Sequence, residues 1–210
     1  MIAEPAPKAA VPGSSQSGFG LAEFLMAALV LLIAASSIFA LISEMQRKSL
    51  FQTEVQSVLD NTRIAIQTVG RYLRQAGNDP RGSGIAGVTI ISPTEVRIQS
   101  DLTGSAGPGN PDKGDPDGDT LDSGENVTIR YNSASRSLEI VPNGSSAQIV
   151  ANYISGISFR CYDSNGALVT SGSDVQKINV TVSGASSRPD PDTHIVFGLQ
   201  LSSDFQTASL

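Results

Sequence analysis

The run from Phe19 to Ile42, "FGLAEFLMAALVLLIAASSIFALI", constrains this chain more than any other feature, because it holds one charged side chain, Glu23. As a helix rising about 1.5 Å per residue it would extend roughly 36 Å, against a bilayer hydrocarbon core of about 30 Å. A soluble domain has no use for such a segment on its surface. A secretory signal peptide would have a shorter apolar stretch, about 7–15 residues, followed by a small-residue cleavage site. Here the run is longer, and the small-residue signal, Gly18, precedes it. An ionised carboxylate in lipid costs about 2.5–3.5 kcal/mol at the centre of a span and less near its end, so Glu23 calls for a partner or an interfacial position.

Before the run, "MIAEPAPKAAVPGSSQSG" is polar and rich in Pro, Ala, Gly and Ser, which reads as a leader or cytoplasmic tail outside any core. Lys8 stands on one side of the span and Arg47 and Lys48 on the other, so flanking charge does not fix its orientation. After the run, residues 43–76 contain no Pro and one Gly, Gly70, while Phe51, Val55, Val58, Ala65, Val69, Tyr72 or Leu73, and Ala76 recur at helical spacing. The pattern predicts one helix from Gly20 to Ala76, apolar all round in 19–42 and amphipathic in 43–77. Gly77 and the following "NDP" supply its stop.

From about residue 87 the period changes to two. "GVTII", "EVRIQS", "NVTIRYN", "SLEIV", "YISGISFRCYD", "VQKINVTVS" and "HIVFGLQL" read as strands, separated by the turn signals "NSAS", "PNGSS" and "DSNG". The expected fold is α+β, a long N-terminal helix whose amphipathic half packs on an antiparallel sheet spanning 78–210. His194 is expected to open the last strand, and "SSDFQTASL" to be a polar tail.

The balance of 20 Asp and Glu against 14 Lys and Arg, with no basic stripe, argues against nucleic acid as a partner. One cysteine, Cys161, precludes an intramolecular disulfide; beside Phe159 in a strand it reads as a small buried hydrophobe rather than a reactive thiol. A single histidine and the absence of phosphate-loop, dinucleotide and serine-elbow motifs leave an enzyme without visible machinery. "NPDKGDPDGDTLDSGEN" gathers Asp112, Asp115, Asp117, Asp119, Asp122 and Glu125 opposite Lys113. It is either a solvated acidic loop or a calcium site. Asp115, Asp117 and Asp119 match the first, third and fifth ligand positions of a helix–loop–helix calcium loop, whereas Gly118 and Glu125 fall too early for it.

The junction Gly18-Phe19-Gly20-Leu21-Ala22-Glu23 resembles the signature of type IV pilins and of the pseudopilins of type II secretion, Gly-Phe-(Thr/Ser)-Leu-(Ile/Val)-Glu followed by an apolar helix. Gly20 and Ala22 stand where that family has larger residues. Arg63-Ile64-Ala65 and Leu73-Arg74-Gln75-Ala76-Gly77 further resemble minor type IV pilins of the PilW kind and the PulJ or GspJ kind of pseudopilin. The resemblance implies a prepilin made in the bacterial inner membrane as a single-pass precursor. A prepilin peptidase would cut it between Gly18 and Phe19 and methylate the new amine of Phe19. The mature subunit would then enter a pilus fibre at the cell surface. It implies that Glu23 pairs with the N-terminal amine of a neighbouring subunit; the alternative for Glu23 is an interfacial carboxylate reaching the headgroups. It implies as partners other minor pilins, the major pilin and the inner-membrane assembly platform, with a role in initiating the fibre near its tip. Two rivals stay open: a type II secretion pseudopilin, and a membrane-anchored module that binds or adheres through calcium.

Overall fold

The computed structural model describes residues 20–104, 114–170 and 175–207. The chain divides into two compact units, Met1–Gln46 and Arg47–Leu210.

In the first unit the described chain is helical from Leu21, the start of α1 (Leu21–Gln75). Its side chains are exposed nearly throughout, Phe24, Leu29, Leu32 and Phe39 among them. The most apolar 18-residue window has a mean hydropathy of 2.7 and none of it is buried. By length and composition α1 can span a membrane.

Among the described residues, the second unit carries the rest of α1 and nine strands. β1 (Val88–Ser92), β2 (Glu95–Gln99), β3 (Asn126–Asn132), β4 (Ser137–Pro142) and β5 (Gln148–Ala151) form one antiparallel sheet in chain order. β6 (Ile154–Tyr162), β7 (Leu168–Val169), β8 (Lys177–Pro189) and β9 (Val196–Gln206) form a second, in the order β7-β6-β8-β9. The fold is α+β, as the change of period predicts, with two sheets in place of one. The strands separate because "ANYI" turns the chain between β5 and β6: Tyr153 adopts φ 60, and its carbonyl accepts the N–H of Ala185.

One core joins the helix and both sheets. Ala65, Val69 and Leu73 of α1 pack with Val96, Ile98, Val127, Ile129, Leu138 and Ile140 of the first sheet and Ile154, Phe159, Cys161, Ile178, Val180 and Val182 of the second. Burial alternates along β8, where Ile178, Val180, Val182 and Gly184 face inward, as a half-buried strand requires. The helix also carries Thr62 and Gly70 into its buried stripe. Thr62 satisfies its hydroxyl on the Val58 carbonyl at 2.7 Å, which makes a polar residue tolerable there. Gly77 ends the helix with φ 77, and Asn78 N–H returns to the Gln75 carbonyl at 3.2 Å.

Three sequence expectations change. β8 runs through Pro189, into what reads as loop, and β9 takes Ser202–Gln206 from the expected polar tail, because Asn179, Thr181 and Lys177 of β8 offer polar partners to Asp204 and Ser202. His194 does not open a strand. It lies in the β8–β9 turn with φ 57, and Asp190 organises that turn by accepting the N–H groups of Asp192 and Thr193 at 2.8 and 2.9 Å. Cys161 is fully buried as expected, and burial pushes its thiol up to about 11.

Candidate functional site

Gly18 and Phe19, the expected cleavage junction, lie outside the described residues, as do Asp112 and Lys113. Glu23 is described, and its environment follows from where α1 begins. Gly20 stands at the N-cap, its carbonyl accepting Glu23 N–H at 3.0 Å and Phe24 N–H at 3.2 Å. Glu23 occupies the third helical position and turns back, its Oε2 accepting Gly20 N–H at 3.0 Å. This is the carboxylate half of a capping box: it satisfies a donor that the helix cannot, at the end of the helix dipole that favours negative charge. Its sequence neighbours Leu21, Phe24, Leu25 and Met26 are all exposed. The next basic residue along the described helix is Arg47, at the far end of the apolar run. Among the described residues, Glu23 accepts from one neutral N–H.

In the described part of the acidic loop, carboxylates accept backbone N–H groups. Glu125, 1% exposed, accepts Leu102 N–H and Thr103 N–H on Oε1, both at 2.8 Å, and Asp122 N–H on Oε2 at 3.2 Å. Asp119 accepts Leu121 N–H at 2.8 Å, and Asp117 accepts Asp119 N–H at 3.2 Å, each on its own Oδ1. Asp115 is described in the same loop with no role in these bonds. Among the described residues, no group of three or more His, Cys, Asp or Glu side chains is placed to hold a metal ion.

A residue outside the acidic run does as much for the loop. Asp101, fully buried, accepts Asp117 N–H at 3.1 Å and Gly118 N–H at 2.9 Å on its two oxygens. Its own backbone pairs with Asn78, whose Nδ2 donates to Asp101 O at 2.6 Å and whose carbonyl accepts Asp101 N–H at 2.8 Å. Arg81 Nε donates to Pro116 O at 2.5 Å. Asp79 holds the adjoining loop the same way. The N–H groups of Ser83, Ile85, Gly84 and Gly82, with that of Ser83 foremost, keep its carboxyl below the usual range against the opposing effect of desolvation.

No protein-family model matches this chain, and no curated protein is similar to it.

Proposed function

We propose that this protein is a minor-pilin-like subunit of a bacterial surface fibre, released from an inner-membrane precursor by cleavage between Gly18 and Phe19 and placed in the fibre through its N-terminal helix. One observation carries the reading: Glu23 is a carboxylate in the first turn of an exposed apolar helix, turned back to Gly20 N–H at the end of the helix where cleavage after Gly18 would create a new amine. An exposed anion in an apolar setting is stabilised when an opposite charge offsets its desolvation. The amine of a neighbouring subunit supplies that charge, so lateral association of helices is favoured over isolation in lipid. The bond to Gly20 N–H is a neutral one, which an ammonium group outcompetes in a low-dielectric setting.

The β domain then projects from the membrane or fibre, held together by packing and backbone hydrogen bonding without disulfides. Its partners in this reading are prepilin peptidase, the assembly platform and other pilins, and fibre initiation is its task.

Replacing Glu23 tests the proposal. Glu23→Ala and Glu23→Gln should leave membrane insertion intact while removing the protein from sheared surface fibres, as read by immunoblot of both fractions. Incorporation of both variants at the wild-type level would refute it.

A further inference from the structure

The chain contains two Asn-Gly pairs, Asn143-Gly144 and Asn165-Gly166, each in an exposed turn with the glycine at positive φ, 70 and 79. We propose that Asn143 is a site of spontaneous succinimide formation and deamidation in the folded protein, and that Asn165 is protected from the same reaction by Asp163. In this reaction the Gly nitrogen loses its proton to hydroxide and bonds to Asn Cγ. The Cγ–Nδ2 bond breaks, and Nδ2 departs as ammonia after taking a proton from water. A second water then opens the ring to an aspartyl or isoaspartyl linkage, with no change of oxidation state. The rate depends on how free the Gly N–H is and on the local charge, because negative charge develops on that nitrogen and then on the tetrahedral oxygen.

The two turns differ in both respects. At the first, Asn143 N–H donates to Asn126 O at 2.8 Å and Ser145 N–H to Pro142 O at 3.0 Å, and the intervening Gly144 N–H is not one of the turn's bonded donors. Asn143 and Gly144 line a hollow on the outer side of the first sheet together with Arg97, Asn126 and Thr128. A guanidinium in that hollow lowers the energy of the developing anion. At the second turn, Gly166 N–H donates to Asp163 O at 3.1 Å, a bond that must break before the nitrogen can attack. The Asp163 carboxylate accepts Asn165 N–H at 2.9 Å and Ala167 N–H at 2.8 Å, fixing the turn and placing a negative charge beside the nitrogen that would have to become anionic. The same dipeptide therefore shares a hollow with a guanidinium in one place and is hydrogen-bonded to a carboxylate in the other. The product at position 143 would be a carboxylate on the hollow that Arg97 also lines, a permanent change in the charge of that face.

Incubating the full-length protein at mildly alkaline pH and mapping both peptides by mass, with isoaspartate detection, tests this. Asn143 should convert several-fold faster than Asn165 in the folded protein, and the two rates should approach each other in denaturant. Arg97→Gln should slow Asn143 alone, and Asp163→Asn should quicken Asn165 alone. Equal folded-state rates, faster conversion of Asn165, or a gap that persists in denaturant would overturn the proposal.

Discussion

A Cβ built on Gly70 of α1 would stand 2.3 Å from Cε1 of Phe205 and 2.6 Å from its Cζ, so the ring of a β9 residue occupies the space that a helix side chain would otherwise fill. The same device recurs at Gly184, where a Cβ would come within 2.3 Å of Thr62 Oγ1 and 3.0 Å of Val58 Cγ1. Helix and second sheet approach closely at these two points because neither glycine has a side chain.

Gly70→Ala sets two effects against each other. Alanine favours helix by about 1 kcal/mol over glycine, while forcing an atom into a filled space costs about 1–3 kcal/mol. Since the ring must be displaced rather than brushed, we expect net destabilisation, seen as a lower urea midpoint at unchanged slope. Gly156→Ala, where a Cβ meets nothing within 4 Å, should stay within about 0.5 kcal/mol of the parent.

Arg136 has φ 50 in the β3–β4 turn, a region favouring glycine, yet its Nη2 donates to Ala185 O at 2.6 Å across to β8. Arg136→Ala loses the charged hydrogen bond, about 1.5–3 kcal/mol, and keeps the unfavourable backbone. Arg136→Gly loses the same bond but recovers about 1 kcal/mol of backbone strain. The predicted order of denaturation midpoints is parent, then glycine, then alanine.

Two polar ties join α1 to the β8–β9 end of the domain, and they should differ in worth. Glu54 Oε1 accepts the N–H groups of Ser187 and Arg188, the second at 3.3 Å. Lys48 pairs with Asp192 at 2.9 Å, with the two side chains 45% and 60% exposed. Glu54→Ala removes the acceptor of two backbone donors and should cost about 1–2 kcal/mol. Asp192→Asn removes a screened surface pair and should cost less than about 1 kcal/mol. Parallel urea titrations would show the difference, and equal losses would count against it.

The Glu139 carboxyl, on an 8%-exposed side chain, is held below its ordinary range first by Asn132 Nδ2 at 2.7 Å, against desolvation, and then by Arg130 Nε at 2.9 Å. A depressed folded-state value means that this carboxylate contributes stability fully above the unfolded-state range. That contribution is lost as pH falls through the folded value. The stability gap between parent and Glu139→Gln should accordingly be largest near neutrality and shrink on acidification. A gap constant with pH would show that the charge is not what matters.

Much of this architecture was legible because its signals are periodic. The apolar run, the stripe Val58-Ala65-Val69-Leu73 and the alternation of "NVTIRYN" and "QKINVTVS" each repeat one physical requirement over several turns or residues. What was not legible depends on single long-range contacts. Gly70 reads as a flaw in a helix until Phe205 is beside it, and Ser202–Gln206 reads as a tail until β8 supplies hydrogen-bond partners. In the acidic loop, counting carboxylates located Glu125 but missed Asp101, since nothing local indicates that a buried acid will collect the N–H groups of Asp117 and Gly118. Glu23 was visible as an anomaly, whereas its bond to Gly20 N–H required the start of the helix to be known within one residue.

The most direct measurement is the mass of the N-terminal peptide of the protein recovered from membranes of cells that make prepilin peptidase. On the proposed function, the protein should begin at Phe19 with a methylated amine. Recovery of the chain with residues 1–18 still attached would contradict the account.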